Sequence, residues 1–182
     1  MALALVVVAN PGSASFAHAM ASIATSTLNE RGYEIAVHDL YDESFDPVQR
    51  AGERDNASSS DNLVEIHCSE LARADLILVF HPNWWGQPPA ILKGWIDRVF
   101  RLGTAYAYPE GVGPEGVPTG LLKARHALIF NTSNTPPDRE RQVFGDPGPV
   151  ACRECGLTRP SSGIFRRASH ASSRRSCPTL GL

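Results

Sequence analysis

Residues 75–100 read Asp75-Leu-Ile-Leu-Val-Phe-His-Pro-Asn-Trp-Trp-Gly-Gln-Pro-Pro-Ala-Ile-Leu-Lys-Gly-Trp-Ile-Asp-Arg-Val-Phe100. The run Leu76–Phe80 is continuously apolar, the pattern of a strand buried on both faces of a parallel sheet. It breaks at Pro82 into a short loop carrying Trp84 and Trp85. Pro88 and Pro89 then open a helix in which Ile91, Leu92, Trp95, Ile96, Val99 and Phe100 recur at helical spacing. Trp95 belongs to the core face of that helix, and Lys93 is a solvated or interface charge. Two tryptophans thus stand on a loop at the carboxyl end of a buried strand, where open α/β sheets bind ligands. Both can be core or interface residues, but adjacent aromatic side chains do not easily share one core, and the loop position suits a flat ring system.

The flanking chain alternates in the same way. Leu3–Ala9 is an apolar first strand. A loop, Asn10–Ala14, leads into a helix from Ser15 to about Arg31, capped by Ser15 and stopped at Gly32. Tyr33–Leu40 alternates as a second strand. Residues 41–60 are polar and irregular, with Tyr41, Phe45 and Pro47 packing locally. Ser60 or Asp61 caps a helix to about Arg73, and the third strand covers Leu76–His81. Gly103–Gly120 is a long loop rich in Gly and Pro, Ala124–Asn131 is a fourth strand, and a short helix follows near Pro137–Phe144. This β-α alternation predicts a doubly wound parallel sheet with helices on both faces. No Gly-x-Gly-x-x-Gly follows the first strand and no phosphate loop with Gly-Lys-Ser/Thr occurs. The flavodoxin-like strand order 2-1-3-4-5 is the expectation, with a ligand at its switch point.

At 182 residues the chain is expected to form one domain. No apolar run reaches the length of a membrane span. Met1–Ala9 lacks a basic leader and reads as a strand rather than a signal peptide, so a cytoplasmic location is expected. Residues 1–147 hold 18 acidic against 11 basic residues, which argues against nucleic acid as a partner. Residues 148–182 differ: six Arg, six Ser, one acidic residue and three of the four Cys. They contain no run fit for a fifth strand. The division expected is 1–147 as the folded domain and 148–182 as a basic tail, disordered or translated in a shifted frame, with the fifth strand missing or degraded. Cys152-x-x-Cys155 has no second ligand pair at metal spacing, so no metal site is expected.

Three loops converge at the carboxyl ends of strands one, three and four. In the first, Ser13, Ser15 and the amides of a helix start can hold a phosphate without lysine; the same residues equally serve as a helix cap. Phe16 is expected to pack under the loop. In the third, Asn131-Thr132-Ser133-Asn134 can bond the polar edge of a ring, or simply make turns. His81 ends its strand beside the site, and His126 is read as a core or edge histidine. No Ser-His-Asp or metal-ligand grouping is apparent.

Residues 80–100, the Ser15-Phe16 loop and Asn131–Asn134 together resemble the flavodoxin-like NAD(P)H:quinone oxidoreductases, a family that includes soluble partners of glutathione-gated potassium channels. The resemblance covers roughly residues 3–147. It implies a flavin, FAD or FMN, held by Asn10, Ser15, Phe16, Pro82, Asn83, Trp84, Trp85, Gly86, Asn131, Thr132, Ser133 and Asn134. It further implies a slot walled by Trp85, Tyr106 and Tyr108, in which NAD(P)H and then a quinone or similar acceptor take turns, giving two-electron ping-pong hydride transfer. A homodimer is implied as well. Asn10 and Ala17 stand where the best-known members carry His and Asn, and Ser133-Asn134 where they carry Gly-Gly, so the phosphate contacts and the choice of flavin can differ. Two other roles fit the same resemblance: a non-catalytic flavin-binding regulatory subunit of a membrane transporter, and a flavodoxin-type electron carrier.

Overall fold

A computed structural model of the chain describes residues 1–53, 59–111, 113, 115–139 and 142–143. Its centre is β1, Leu3–Val8, and β3, Leu76–Pro82. Both strands are apolar throughout, and six consecutive residues of each are buried. Such strands need a layer on each face. α1, Phe16–Glu30, covers one face through Ala17, Ala21, Met20 and Leu28, packed on Ala4, Val6, Val8, Leu78 and Phe80. α2, Asn62–Arg73, and α3, Ala90–Val99, cover the other through Val64, Leu71, Leu92, Trp95 and Val99, packed on Leu5, Val7, Ile77 and Val79. The period-2 alternation of the strands sends neighbouring residues to opposite layers.

Completed by β2, Glu34–Asp39, and β6, His126–Thr132, the sheet runs β2-β1-β3-β6, parallel throughout. This is the order expected, with β6 as the fourth parallel strand. The expected fifth strand and the tail at 148–182 lie outside the described residues. β6 is half-buried along most of its length, unlike β1 and β3. Within the Gly/Pro-rich loop, Tyr106–Ala107 and Thr119–Gly120 pair as a short antiparallel ribbon, β4 and β5, where only a loop was expected. A short helix, α4, covers Pro137–Arg139. No helix among the described residues is long and apolar enough to cross a membrane.

The irregular stretch after β2 is tied down by α3. A Cβ at Gly94 would overlap the Pro47 carbonyl, so only glycine lets the loop cross the helix this closely. One turn later Arg98, 1% exposed, donates through Nε and Nη2 to the Glu53 carboxylate at 3.0 and 2.7 Å and through Nη1 to the Asp46 carbonyl at 2.7 Å. Phe45 is buried as expected.

Candidate functional site

The strand register brings the three loops together. Val8 lies beside Phe80, His81 beside Asn131 and Pro82 beside Thr132. The amide of Ala9 donates to the Phe80 carbonyl at 2.9 Å, and that of Asn83 to the Thr132 carbonyl at 2.7 Å. Loops 10–17, 83–87 and 131–135 therefore share one edge of the sheet.

The central loop is a two-residue turn. Trp84 and Gln87 exchange both backbone hydrogen bonds, at 2.9 and 3.0 Å. The residues between them, Trp85 and Gly86, have φ of +56° and +78°, the signature of a type I′ turn. Glycine adopts this conformation freely; for tryptophan it costs roughly 1–2 kcal/mol. Trp85 is also 98% exposed and Trp84 43%. A large aromatic held in a strained backbone and left in water is what a binding loop looks like, not a core element. Trp95, by contrast, is fully buried, and its indole N–H donates to His67 Nδ1 at 2.7 Å.

In the first loop the Asn10 Oδ1 accepts from the Gly12 amide at 2.9 Å. Ser15 is the N-cap of α1, its Oγ accepting from the His18 amide at 3.3 Å. The first amides of a helix have no partner within it, so this end presents donors and a positive dipole. Phe16, expected to pack under the loop, is 46% exposed, and it is the next residue, Ala17, that is buried against the sheet. In the third loop Ser133 Oγ accepts from the Thr135 amide at 3.1 Å. Thr132 is half-buried and Asn134 exposed. Among the described residues the Oδ1 of Asn131 is buried without a hydrogen-bond partner, an acceptor that a ligand N–H would satisfy.

His81 is buried, and burial lowers its pKa despite the opposing hydrogen bond from Nδ1 to the Pro82 carbonyl at 2.8 Å. It is therefore a neutral ring at the site's edge. His126 is exposed at the start of β6. Tyr106 and Tyr108 meet edge to face with centroids 6.0 Å apart. Their ribbon is anchored through Gly103 to Tyr106 and Leu121 to Ala105, at 2.8 and 2.9 Å.

Two groupings appear that the sequence did not disclose. Ser15 Oγ, His18 Nδ1, His18 Nε2 and Asp39 Oδ2 form a chain with both links at 2.7 Å. Its third member comes from the end of β2, 21 residues beyond the histidine. Separately, His38, Glu43 and His67 bring three potential ligand atoms within 4.8 Å of one another. Their protonation opposes a metal. The Trp95 N–H occupies the Nδ1 lone pair of His67, which leaves the proton on Nε2, 3.2 Å from Glu43 Oε2. Both nitrogens of His38 face carboxylates, those of Glu43 at 2.7 Å and of Glu70. Burial opposes its charge, but these hydrogen bonds and charges prevail and raise its pKa. Glu43, although burial works against it, is lowered to about 2 by His38 and His67. The grouping is an internal ion pair joining β2, α2 and α3.

A family model for the flavodoxin-like fold matches residues 3–148. The chain belongs to that family. An uncharacterized NAD(P)H oxidoreductase of Haemophilus influenzae is 33% identical over 157 residues, covering 84% of this chain and 75% of that protein. The NAD(P)H dehydrogenase [quinone] 1 of Cavia porcellus is 34% identical over 124 residues, covering 58% of this chain; the chain spans about half, 45%, of that relative's length. Among solved structures, an NAD(P)H:quinone oxidoreductase from Methanothermobacter marburgensis superposes with a TM-score of 0.73 at 22% identity, covering 92% of this chain and 85% of the other.

Proposed function

We propose that the chain is a flavin-dependent NAD(P)H:quinone-type oxidoreductase. The observation that carries this reading is the strained, exposed Trp84–Gln87 turn at the end of β3, flanked by the loops of β1 and β6. The residues present fit a flavin. The amides and Ser15 hydroxyl at the start of α1 suit its phosphate, and the backbone of residues 82–86 lies along the sheet edge for its ring. Asn131 supplies a buried acceptor lacking a partner among the described residues, and Asn10, Thr132, Ser133 and Asn134 make a polar rim. Trp84, Trp85 and Phe16 offer exposed aromatic surface against that ring. When bound, the flavin supplies the electron transfer from NAD(P)H to the acceptor, and the protein supplies position and electrostatics.

Each protein group then has a limited task. Trp85 with Tyr106 and Tyr108 walls one aromatic slot, used in turn by NAD(P)H and by a quinone, which makes the kinetics ping-pong. His81, kept neutral, adds no charge beside that slot. Exposed aromatic surface at the edge of the site supports a homodimer that covers it. The family match ends at residue 148, in support of 1–147 as the flavin-binding unit. Purified protein is titrated with FMN and FAD, then given NADH or NADPH and a quinone. Binding at micromolar or better, roughly −8 kcal/mol, and quinone-dependent NAD(P)H oxidation are expected. Replacing Tyr106 and Tyr108 with Ala raises the quinone KM while flavin stays bound. A folded protein that binds no flavin overturns the reading.

A further inference from the structure

The chain Ser15–His18–Asp39 sets the direction of a proton at the first loop. A neutral imidazole has one N–H and one lone pair. Asp39 Oδ2, a carboxylate oxygen 2.7 Å from Nε2, can only accept, so the proton of a neutral His18 lies on Nε2. Nδ1 is then a lone pair, and the Ser15 hydroxyl 2.7 Å away must donate to it. Ser15 Oγ already accepts the His18 amide at 3.3 Å. In this state its single proton is committed inward, and the oxygen offers an approaching phosphate only lone pairs. With an imidazolium the sense reverses. Nδ1–H donates to Oγ, and the hydroxyl proton is free to point outward beside the helix-start amides.

We propose that His18 is a positioning residue for the phosphate of the flavin: as an imidazolium paired with Asp39 it releases the Ser15 hydroxyl to donate to the phosphate, so that binding takes up one proton. This rests on the reading of the β1–α1 turn as the phosphate end of the flavin site. Among the described residues Asp39 is the charged group that faces the imidazole. Its other oxygen accepts the amides of Tyr41 and Asp42, at 3.1 and 3.3 Å, and the Asp42 side chain lies in that exposed turn. Protonation turns the pair from a net anion into a neutral ion pair, so besides directing the hydroxyl it removes one negative charge from the surroundings of the phosphate. The loop at residues 10–17 contains no Lys or Arg that would otherwise meet a phosphate.

The test uses the full chain with FAD, FMN and riboflavin as probes. FAD has a pyrophosphate that stays ionised over the range used, whereas the FMN phosphate itself titrates near pH 6. Binding is followed by flavin fluorescence from pH 5.5 to 9, and proton uptake by calorimetry at pH 8 in two buffers of different ionisation enthalpy. The FAD Kd should rise with pH, by about tenfold per unit where one proton is taken up per flavin. His18→Phe should bind FAD with a flat profile and no proton uptake, and Ser15→Ala should flatten the profile in part, by the share that the hydroxyl carries. The wild-type His18 ring followed by NMR should titrate at higher pH once FMN or FAD is bound, which decides the matter if either variant fails to fold. If FMN and FAD bind tighter than riboflavin but the wild-type profile is flat and no proton is taken up, the role of His18 is refuted while the site stands. If riboflavin binds as tightly as FMN and FAD, the phosphate reading of the loop itself falls, and the proposal with it.

Discussion

Arg98→Met removes the centre of the tie between α3 and the loop after β2. The guanidinium gives two hydrogen bonds to Glu53, one to the Asp46 carbonyl, and lies 3.0 Å from Asp61 Oδ2. Methionine fills most of the space but leaves Glu53, 7% exposed, with only Ser59 Oγ and the Arg50 amide as partners among the described residues. Removing one partner of a buried ion pair costs about 3–5 kcal/mol, because a charge is left buried and unmatched. For a chain of this size each kcal/mol is worth roughly 2–4 °C, so Tm should fall by about 6–20 °C. The pH dependence carries a second signature. Arg98, chiefly, holds Glu53 at about 2 against an ordinary 4.5. A carboxylate with a depressed pKa stabilises the fold above its unfolded value and loses that contribution as pH falls towards the folded one. Wild type should therefore lose stability from this pair between pH 4.5 and about 2, and Arg98→Met should lack that slope. Urea unfolding at pH 7 and through the acid range measures both. Glu53→Leu added to Arg98→Met should cost less than the two changes separately, since the unmatched charge is gone. A loss below about 1 kcal/mol at pH 7, the scale of a surface pair, or an acid slope unchanged by Arg98→Met, would refute the reasoning.

Trp85→Gly relieves the positive φ at the turn and should raise stability by up to about 1 kcal/mol, while flavin affinity falls; thermal melts with and without FMN measure both, and a destabilised apo-protein would mean that Trp85 packs. His38 stabilises the fold below pH 6.5 and loses that contribution as pH rises through its elevated pKa, whereas Glu43 loses its own as pH falls from 4.5 towards about 2. The stability difference between wild type and His38→Gln should thus be largest between about pH 4.5 and 6.5, with urea unfolding at pH 5.5 and 9 as the check and a difference that grows with pH as the contrary result.

What could be read in advance and what could not divide along sequence separation. β1, β3 and α3 were legible because burial on two faces, or on one stripe of a helix, writes itself into consecutive residues: Leu76–Phe80 is apolar without interruption, and Trp95 falls on the stripe of Leu92 and Val99. The meeting of the three loops followed from the strand order alone. The polar groupings follow no period. Arg98 and Glu53 are 45 residues apart, and Ser15–His18–Asp39 needs β1 and β2 in register before its members face one another. An arginine at helical spacing beside Val99 names no partner until the loop that covers it is in place. The turn at Trp85 lies between these cases. Gly86 sits where a two-residue turn needs positive φ, a local cue, but the same backbone forces Trp85 into it against its preference. Strain of that kind becomes visible only when the turn's hydrogen bonds are seen. At this turn local preference and observed structure disagree, and it lies at the centre of the site, which is where such disagreement is expected to mark function.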